Sequence, residues 1–320
     1  MTIIAMTHNK MRLSPREVSL LVSIRAGGKT RKVIAQEVVA SPPELTRLVK
    51  SLQSKGFVTV QRHGMSTSVS FSETKHASRL RMALNEFNHM KLEGILSLAS
   101  LDVLSALAAR TCATRKDTVS SSGISARTLH TALKRLQEVG IVRRRSRGVY
   151  EISDRFEPLA DFAREFDEYS NHRMAVEFSP DSLIVWQRGK EFIVRARGGE
   201  EGDDYRKTAF SEFEHHRVPL FMDWHYYYHP AGGWRRTIDE VLLQSLLIRH
   251  RGTRENTAIL MLWERNGLGR NIDRLRVRAK EYGVEQELEA IAAYFEDPEK
   301  NRPPGFPRIT ELKEKLGSRG

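Results

Sequence analysis

A short pattern occurs twice in this chain, 84 positions apart, and it constrains the fold more than any other feature of the sequence. When Ser41 is set against Ser125, apolar, glycine and basic positions coincide along the two stretches. The coincident positions include Thr30-Arg31-Lys32 with Thr114-Arg115-Lys116, Leu45 with Leu129, Leu52-Gln53 with Leu136-Gln137, Gly56 with Gly140, and Gly64 with Gly148. Self-similarity at a fixed spacing indicates one supersecondary unit that is built twice.

The first copy, residues 11–72, predicts three helices followed by a β-hairpin. Ser14-Pro15-Arg16-Glu17 has the pattern of a capping box with proline at the first helical position, so the first helix begins there. The spacing of apolar residues predicts further helices over about 30–39 and 44–55. Alternation of apolar and polar residues over 57–71 predicts the hairpin.

The second copy, residues 98–153, predicts the same order of elements. A first helix is expected over 102–110 and a second over 115–121, where a run of serines makes the helix weak because serine favours turns. Ser125 is the N-cap of the third helix, and the hairpin follows at 141–152. Two copies in register predict the same fold twice.

The excess of basic charge is confined to the repeated part of the chain. Residues 1–153 hold 25 Lys and Arg against 10 Asp and Glu, a net charge of +15, whereas residues 154–320 hold 27 against 30, a net charge of −3. Such an asymmetry is typical of a module that binds a polyanion and is joined to a neutral domain. A solvated basic surface without a partner is the alternative.

Both copies resemble the winged helix-turn-helix domains of MarR-like and related archaeal or bacterial transcription regulators. The resemblance rests on two helices, a third that ends in Leu-Gln-x-x-Gly-[Ile/Phe]-Val, and a basic hairpin. It implies an α+β fold with two tandem winged helices followed by a mixed α/β C-terminal domain, and a sequence-specific regulator of transcription that binds double-stranded DNA. Winged helices also mediate protein contacts, so the step to DNA binding depends on the basic excess.

The candidate DNA-binding residues lie on the second and third helices and on the hairpin of each copy. Third-helix residues would contact the major groove, and hairpin arginines would contact phosphates or enter a minor groove. For each residue the alternative is plain solubility. The candidates are Arg31, Lys32, Thr46, Arg47, Lys50 and Arg62 in the first copy, and Arg115, Lys116, Arg127, Thr131, Lys134, Arg135, Arg143, Arg144, Arg145 and Arg147 in the second.

Two amphipathic segments follow the two hairpins. Residues 73–97 predict a linker helix, and residues 154–173 predict a connecting helix. Helices in these places pair two protomers or pack inside one protomer. Of the two, pairing is the prediction, so a homodimer is expected, which would display four winged helices and favour an operator with repeated half-sites.

Residues 174–297 change to a mixed α/β pattern, interpreted as a domain for effector sensing, dimerisation or partner binding. A hairpin is predicted over 182–196, and a further strand over 218–224 that extends toward His229. The apolar run at 257–263 is either a buried strand or a helix. The expected helices are 237–249, 273–282 and 285–295.

One segment of this domain concentrates titratable side chains. On a strand, Asp223, His225, Tyr227 and His229 share one face, and His215-His216 lies close in sequence. A metal needs three or four converging ligands, and this spacing matches neither a helical HExxH nor a structural zinc pattern. No metal, no cofactor and no enzymatic activity are therefore expected. Action on nucleic acid through this strand is the remaining enzyme hypothesis.

The segment from Arg236 to Glu296 resembles the C-terminal part of nucleotidyltransferase-like regulator domains, including AbiEi-type antitoxins of abortive-infection systems. The Gly-Ser and Asp-x-Asp signature of active nucleotidyltransferases is missing, so the resemblance implies an inert copy. It supplies the alternative function, an antitoxin or adaptor that binds another protein through its C-terminal domain and regulates its own expression by binding DNA.

The remaining features of the sequence limit the class of protein that it can be. The sequence has neither an apolar run of about 18 residues nor the basic-then-apolar order of a signal peptide, so a cytoplasmic protein that does not bind membranes is expected. Cys112 is the single cysteine, which excludes an internal disulfide, and it is expected to be a small buried side chain on a helix. Residues 298–320 are expected to form a loosely docked tail.

Overall fold

The described chain consists of helices and small antiparallel sheets, which makes the fold α+β as the sequence predicts. The structure is a computed structural model that describes residues 11–64, 66–110, 112–232, 237–249 and 252–317. The chain divides into two compact units. The first unit comprises the described residues within 1–174, 187–191 and 230–233, and the second unit comprises those within 175–186, 192–229 and 234–320.

The first copy folds as three helices and a three-stranded antiparallel sheet. Its elements are α1 (Pro15–Ser23), β1 (Lys29–Thr30), α2 (Arg31–Glu37), α3 (Pro42–Ser54), β2 (Val58–His63) and β3 (Ser66–Phe71), with the strands in the order β1-β3-β2. The predicted capping box is confirmed, because the Ser14 hydroxyl accepts from the Glu17 N–H at 3.2 Å and Glu17 Oε2 accepts from the Ser14 N–H at 2.7 Å. The short strand β1 is absent from the sequence prediction.

Helix α4 (Lys75–Glu86) follows the first copy. The sequence predicts a helix over 73–97, and this length is wrong because the helix ends at Glu86. Asn88 lies in the turn that follows, consistent with the low helix propensity of asparagine. The turn lets Leu92 and Ile95 enter the core of the first unit. The apolar face of α4 also packs in that core, as expected if the helix packs inside one protomer.

The second copy repeats the first element by element. Its elements are α5 (Leu98–Ala108), β4 (Ala113–Thr114), α6 (Arg115–Ser122), α7 (Ala126–Glu138), β5 (Val142–Ser146) and β6 (Val149–Ile152), with the strands in the order β4-β6-β5. The serine-rich helix α6 is stabilised by a capping box between Thr114 and Asp117 that the sequence analysis missed. Cys112 is half-buried in the bend before β4, so the prediction of a buried position on a helix is wrong.

Helix α8 (Glu157–Phe178) begins after the second copy, and its N-terminal half completes the core of the first unit. Phe162 and Phe166 are buried there beside Phe57 of the first copy, with ring centroids 6.2 Å and 5.0 Å from that of Phe57. One continuous hydrophobic cluster therefore contains side chains of both copies, of α4 and of α8.

Most of the remaining elements belong to the second unit. They are β7 (Leu183–Arg188), β8 (Glu191–Ala196), β9 (Arg206–Lys207), β10 (His225–His229), α9 (Ile238–Ile248), α10 (Thr253–Arg265), α11 (Ile272–Tyr282), α12 (Glu285–Glu296) and α13 (Ile309–Gly317). The sheet order is β7-β8-β10-β9, and the predicted hairpin is confirmed as β7–β8. The undecided run at 257–263 is part of helix α10.

Two expectations for the second unit are wrong. Residues 218–224 form a loop, and the strand begins only at His225. Pro219 has no N–H to donate to a sheet, which opposes a strand there. The C-terminal tail is not loosely docked, because Leu312 of α13 is fully buried and the Phe306 ring lies 5.4 Å from that of Tyr294. Across the described ranges, every helix is too short or too polar to cross a bilayer.

Candidate nucleic-acid interface

Helix α7 separates an apolar face from a basic one. Leu129, Leu133 and Leu136 recur at helical spacing and are buried in the core of the first unit. The Ser125 hydroxyl accepts from the Thr128 N–H at 3.1 Å and starts the helix. Because the leucines fix the rotation of the helix, its opposite face is turned to solvent.

The exposed face of α7 carries four predicted residues. Arg127, Thr131, Lys134 and Arg135 are all exposed. Lys134 lies 3.9 Å from Glu138, a surface pair of little energetic consequence. Arg135 donates to the carbonyl of Gly94 at 3.2 Å, which ties it to the segment before α5. Arg127, Lys134 and Arg135 are therefore all placed to contact a ligand, since the Gly94 carbonyl orients Arg135 without neutralising its charge.

The hairpin β5–β6 carries four exposed arginines, of which two are paired. Arg143 Nε lies 2.7 Å from Glu151, and Arg145 lies 3.6 Å from the same carboxylate. The hydrogen bond to Glu151 and the charge of Asp154 raise the pKa of Arg143 above its usual value. One acidic residue thus offsets part of the charge of this hairpin.

The charges of the other two arginines of the hairpin are available to a ligand. Arg144 Nε donates to the carbonyl of Ser146 at 3.1 Å, which orients the guanidinium without neutralising it. Over the described ranges, neither Arg144 nor Arg147 has a carboxylate partner. A register shift between Arg144 and Ser146 makes Arg145 the extra residue of the strand.

The second helix of this copy adds basic groups beside the hairpin. Arg115 Nε donates to the Tyr150 hydroxyl at 3.0 Å, and its guanidinium lies 5.7 Å from the centre of that ring. Lys116 is exposed next to it. Because Tyr150 belongs to β6, this contact joins the start of α6 to the hairpin.

The first copy presents a smaller basic surface. Arg47 and Lys50 are exposed on α3, opposite its buried leucines and valine. The Thr46 hydroxyl donates to the Pro42 carbonyl of its own helix at 2.9 Å and is half-buried. On the hairpin, Arg62 donates to the Gly64 carbonyl at 3.3 Å.

Helix α2 supplies the last two predicted residues, of which Lys32 is exposed and Arg31 is half-buried. Of the sixteen candidates, all except Arg31 and Thr46 are exposed. The structure brings the α7 and hairpin residues together on the second copy and the α3 residues on the first.

Glu151, which offsets part of the charge of this surface, is not among the residues predicted from the sequence. Glu151 is the partner of two hairpin arginines, and it faces Arg143 directly across the antiparallel pair. A regular hairpin that turns at Gly148 would pair Glu151 with Arg144, so the register shift at Arg145 decides the observed pairing and the turn position alone does not predict it. Basic residues on α4 were also missed; Lys75, Arg79 and Arg81 are exposed there.

The titratable cluster of the second unit does not converge. Asp223 lies outside β10, whereas His229 is buried, with Nδ1 2.7 Å from the carbonyl oxygen of Asp204. Burial lowers the pKa of His229 to about 4. Among the described residues, no group of three His, Cys, Asp or Glu side chains is arranged to hold a metal ion.

Comparison of the chain with protein-family models, with curated proteins and with solved structures returned no match. Function is therefore inferred from the charges and the geometry of these surfaces.

Proposed function

We propose that the two copies are winged helix-turn-helix domains and that the protein is a transcription regulator that binds double-stranded DNA by sequence. The observation that carries this proposal is the second copy, where α7 exposes arginine and lysine and the hairpin β5–β6 exposes four arginines. In a winged helix these two elements contact the major groove and the adjacent backbone or minor groove.

The proposed mechanism uses two kinds of contact, one with phosphates and one with base edges. Arg144 and Arg147, together with Lys116, neutralise phosphates and give affinity that falls as salt rises. Arg127 and Lys134 on α7 reach base edges, where arginine and lysine prefer guanine and a good contact discriminates by about 1–3 kcal/mol. In the first copy, Arg47 and Lys50 of α3 provide the equivalent contacts. Arg143 and Arg145 contribute less, because Glu151 shares their charge.

The test is fluorescence anisotropy of the full chain on the DNA upstream of its own coding sequence and on a scrambled duplex, across a salt series. We expect tighter binding to the upstream site and a steep dependence on salt. Arg144→Glu with Arg147→Glu should lower affinity roughly 100-fold at low salt and reduce the salt slope by about 2.

A matched control carries the same change in net charge on the second unit. Arg302→Glu with Lys313→Glu alters two exposed residues outside the two copies. If this variant loses as much DNA affinity as the hairpin variant, net charge rather than a defined surface drives binding. If the hairpin variant binds upstream DNA as tightly as the native chain, the proposal is wrong.

For the second unit we propose a role in effector sensing, dimerisation or partner binding. A homodimer stays a prediction, and its earlier rationale is weakened because the apolar face of α4 is buried inside the first unit. Mass photometry of the full chain decides between monomer and dimer. The alternative function, an antitoxin or adaptor, predicts a protein partner that remains bound when the hairpin arginines are reversed.

A further inference from the structure

A groove on the second unit lies at the end of the 3₁₀ helix Ala209–His216. It has a volume of about 690 Å³, and its lining includes Glu214, His215, His216, Arg217, Arg265 and Leu316. A neighbouring depression of about 520 Å³ shares Pro219 and Arg265 with it and adds Arg254 and Lys315. These volumes lie in the range of about 300–1,000 Å³ that is typical of small-molecule sites.

Positive charge is concentrated in this groove, although the surrounding region is not basic. Among the described residues, the two depressions are lined by the side chains of Arg217, Arg254, Arg265 and Lys315 and by the carboxylate of Glu214. Residues 154–320 as a whole carry 27 basic and 30 acidic residues. A local excess of cations in a concave surface of a slightly acidic region concentrates anions.

The arginines of the groove differ from those on helix α11 of the same unit. On α11 the arginines pair with carboxylates; examples are Arg274 with Asp239 at 2.5 Å and Arg276 with Glu289 at 2.6 Å. Within the described ranges, Arg217, Arg254 and Arg265 have no carboxylate partner. Their charge is therefore available to a ligand.

Main-chain carbonyls hold two of these guanidinium groups in place. Arg265 donates to the carbonyl oxygens of Arg217 and Leu316, the latter at 3.3 Å. Arg254 donates to the carbonyl oxygen of Phe221. A neutral acceptor orients a guanidinium without cancelling its charge, so less side-chain entropy is lost when an anion binds.

We propose that this groove binds a small anion that carries a phosphate group. Arg217 after the 3₁₀ helix and Arg265 on α10 bring two guanidinium groups to the groove, and arginine donates to phosphate oxygens in parallel pairs. Arg217 at the groove would contact the phosphate, and Arg265, which lines both depressions, would anchor it. This inference does not depend on DNA binding, because the groove belongs to the second unit alone.

The test is isothermal titration calorimetry of the full chain with pyrophosphate as the probe, at constant ionic strength and without DNA. We expect a saturable isotherm with one site per chain, and weaker binding of citrate. Arg217→Gln with Arg265→Gln should weaken pyrophosphate binding at least tenfold. The matched control, Arg270→Gln with Lys313→Gln, changes exposed residues outside the groove and should bind like the native chain.

Two further variants make every outcome decisive. Arg217→Gln on its own replaces the double variant if that variant fails to fold, and it should also weaken binding. Arg144→Gln with Arg147→Gln should leave pyrophosphate binding unchanged. Loss of binding in that variant, with retention in the groove variants, would place the anion on the hairpin of the second copy and overturn the proposal. Equal affinity for citrate would overturn the assignment to phosphate.

Discussion

The two copies share one order of elements, yet they place different chemistry at equivalent positions. In the first copy Lys55 donates to Glu17 Oε1 at 2.6 Å, and both side chains are buried. Ser51 donates to the same oxygen at 2.6 Å. The equivalent positions of the second copy, 84 residues further on, hold Leu101 and Val139 in place of the ion pair.

The second copy buries charge at a different position of its first helix, α5. Asp102 and Ser105 of α5 occupy the positions that Val18 and Leu21 occupy in α1. Asp102 is paired with Arg12 at 2.8 Å and with Lys190, and Ser105 donates to the buried carboxylate of Asp167. Polar and apolar positions are thus exchanged between two helices that have the same place in their copies.

The exposed surfaces differ as well. The hairpin of the first copy has Thr59, Val60, Gln61 and His63 where the second has Arg143, Arg144, Arg145 and Arg147. The order of elements is set by the apolar periodicity that both copies retain, so buried and exposed polar residues can diverge without loss of the fold. The comparison indicates that the second copy carries most of the proposed DNA contact.

The largest effect is expected from breaking the buried ion pair of the first copy. Burial on its own would raise the pKa of Glu17, but hydrogen bonds from Lys55 and Ser51 outweigh it and hold the pKa below its ordinary value. Lys55→Met leaves the carboxylate without its cation and should lower the free energy of unfolding by about 3–5 kcal/mol. Urea unfolding followed by circular dichroism measures this.

The matched variant gives the first copy the residues of the second. Glu17→Leu with Lys55→Val removes both charges and should cost only about 1–2 kcal/mol, chiefly because the capping box at Ser14 is lost. A double variant as unstable as Lys55→Met would show that the ion pair itself, rather than an unpaired charge, determines stability there.

The second effect concerns the carboxylate that is buried against the second copy. Burial raises the pKa of Asp167 to about 6, and neighbouring Asp102 raises it further, while Lys190 and the Ser105 hydroxyl oppose the shift. Between the ordinary pKa and about 6, the folded chain holds a proton that the unfolded chain has released. Asp167 therefore destabilises the fold above pH 6, and its cost disappears as pH falls toward 4.

The variant Asp167→Asn should remove this dependence. A shift of about two pKa units corresponds to at most about 3 kcal/mol. Relative to the native chain, we expect the variant to be more stable at pH 8 than at pH 5 by up to that amount. Unfolding in urea at both pH values measures the stability of the variant relative to the native chain. Buried histidines contribute equally to both chains, so their contribution cancels in this comparison. A difference independent of pH would show that Asp167 is ionised in the fold throughout this range.

The third prediction compares two glycines that occupy equivalent positions in the two copies. Gly56 and Gly140 both have positive φ, +73° and +75°, so alanine at either position costs about 1 kcal/mol or more in backbone strain. A Cβ at Gly56 would also lie 2.5 Å from the Tyr169 hydroxyl, whereas nothing lies within 4 Å at Gly140. The Tyr169 ring packs against that of His76 at 4.2 Å, which restricts its movement.

We therefore expect Gly56→Ala to cost roughly 1–2 kcal/mol more than Gly140→Ala. Both glycines belong to the unit with one continuous core, so a single unfolding transition reports both changes. Equal costs would mean that Tyr169 moves aside freely, and that crowding by α8 does not distinguish the copies.

The sequence contained the order of elements because that information is local. Helix periodicity, the Ser14 capping box and the alternation of the hairpins each lie within a few residues, and the structure confirms them. Contacts between distant residues could not be predicted in this way. The strand β1 exists because Lys29 pairs with Val69, and Lys190 reaches Asp102 across 88 positions.

The smallest effect compares the starts of the second helices. The Thr114 hydroxyl accepts from the Asp117 N–H at 3.2 Å, and Asp117 Oδ2 accepts from the Thr114 N–H at 3.0 Å. The first copy has Thr30 at the N-cap and Val33 at the third position, and the Thr30 side chain makes no capping hydrogen bond within the described residues. Thr114→Ala should lower the free energy of unfolding by about 1 kcal/mol, and Thr30→Ala by only about 0.3 kcal/mol.

The converse substitution tests whether the missing capping box explains the smaller cost of Thr30→Ala. Val33→Asp gives α2 the acidic residue that α6 has, and because Val33 is 39% exposed, the lost apolar burial offsets only part of the gain from the cap. An aspartate in the first turn also complements the helix dipole. We expect a gain of about 0.5 kcal/mol, measured by urea unfolding, and a larger cost for Thr30→Ala in that background than in the native chain. If the cost of Thr30→Ala stays the same, the two helices differ in their surroundings rather than in their caps.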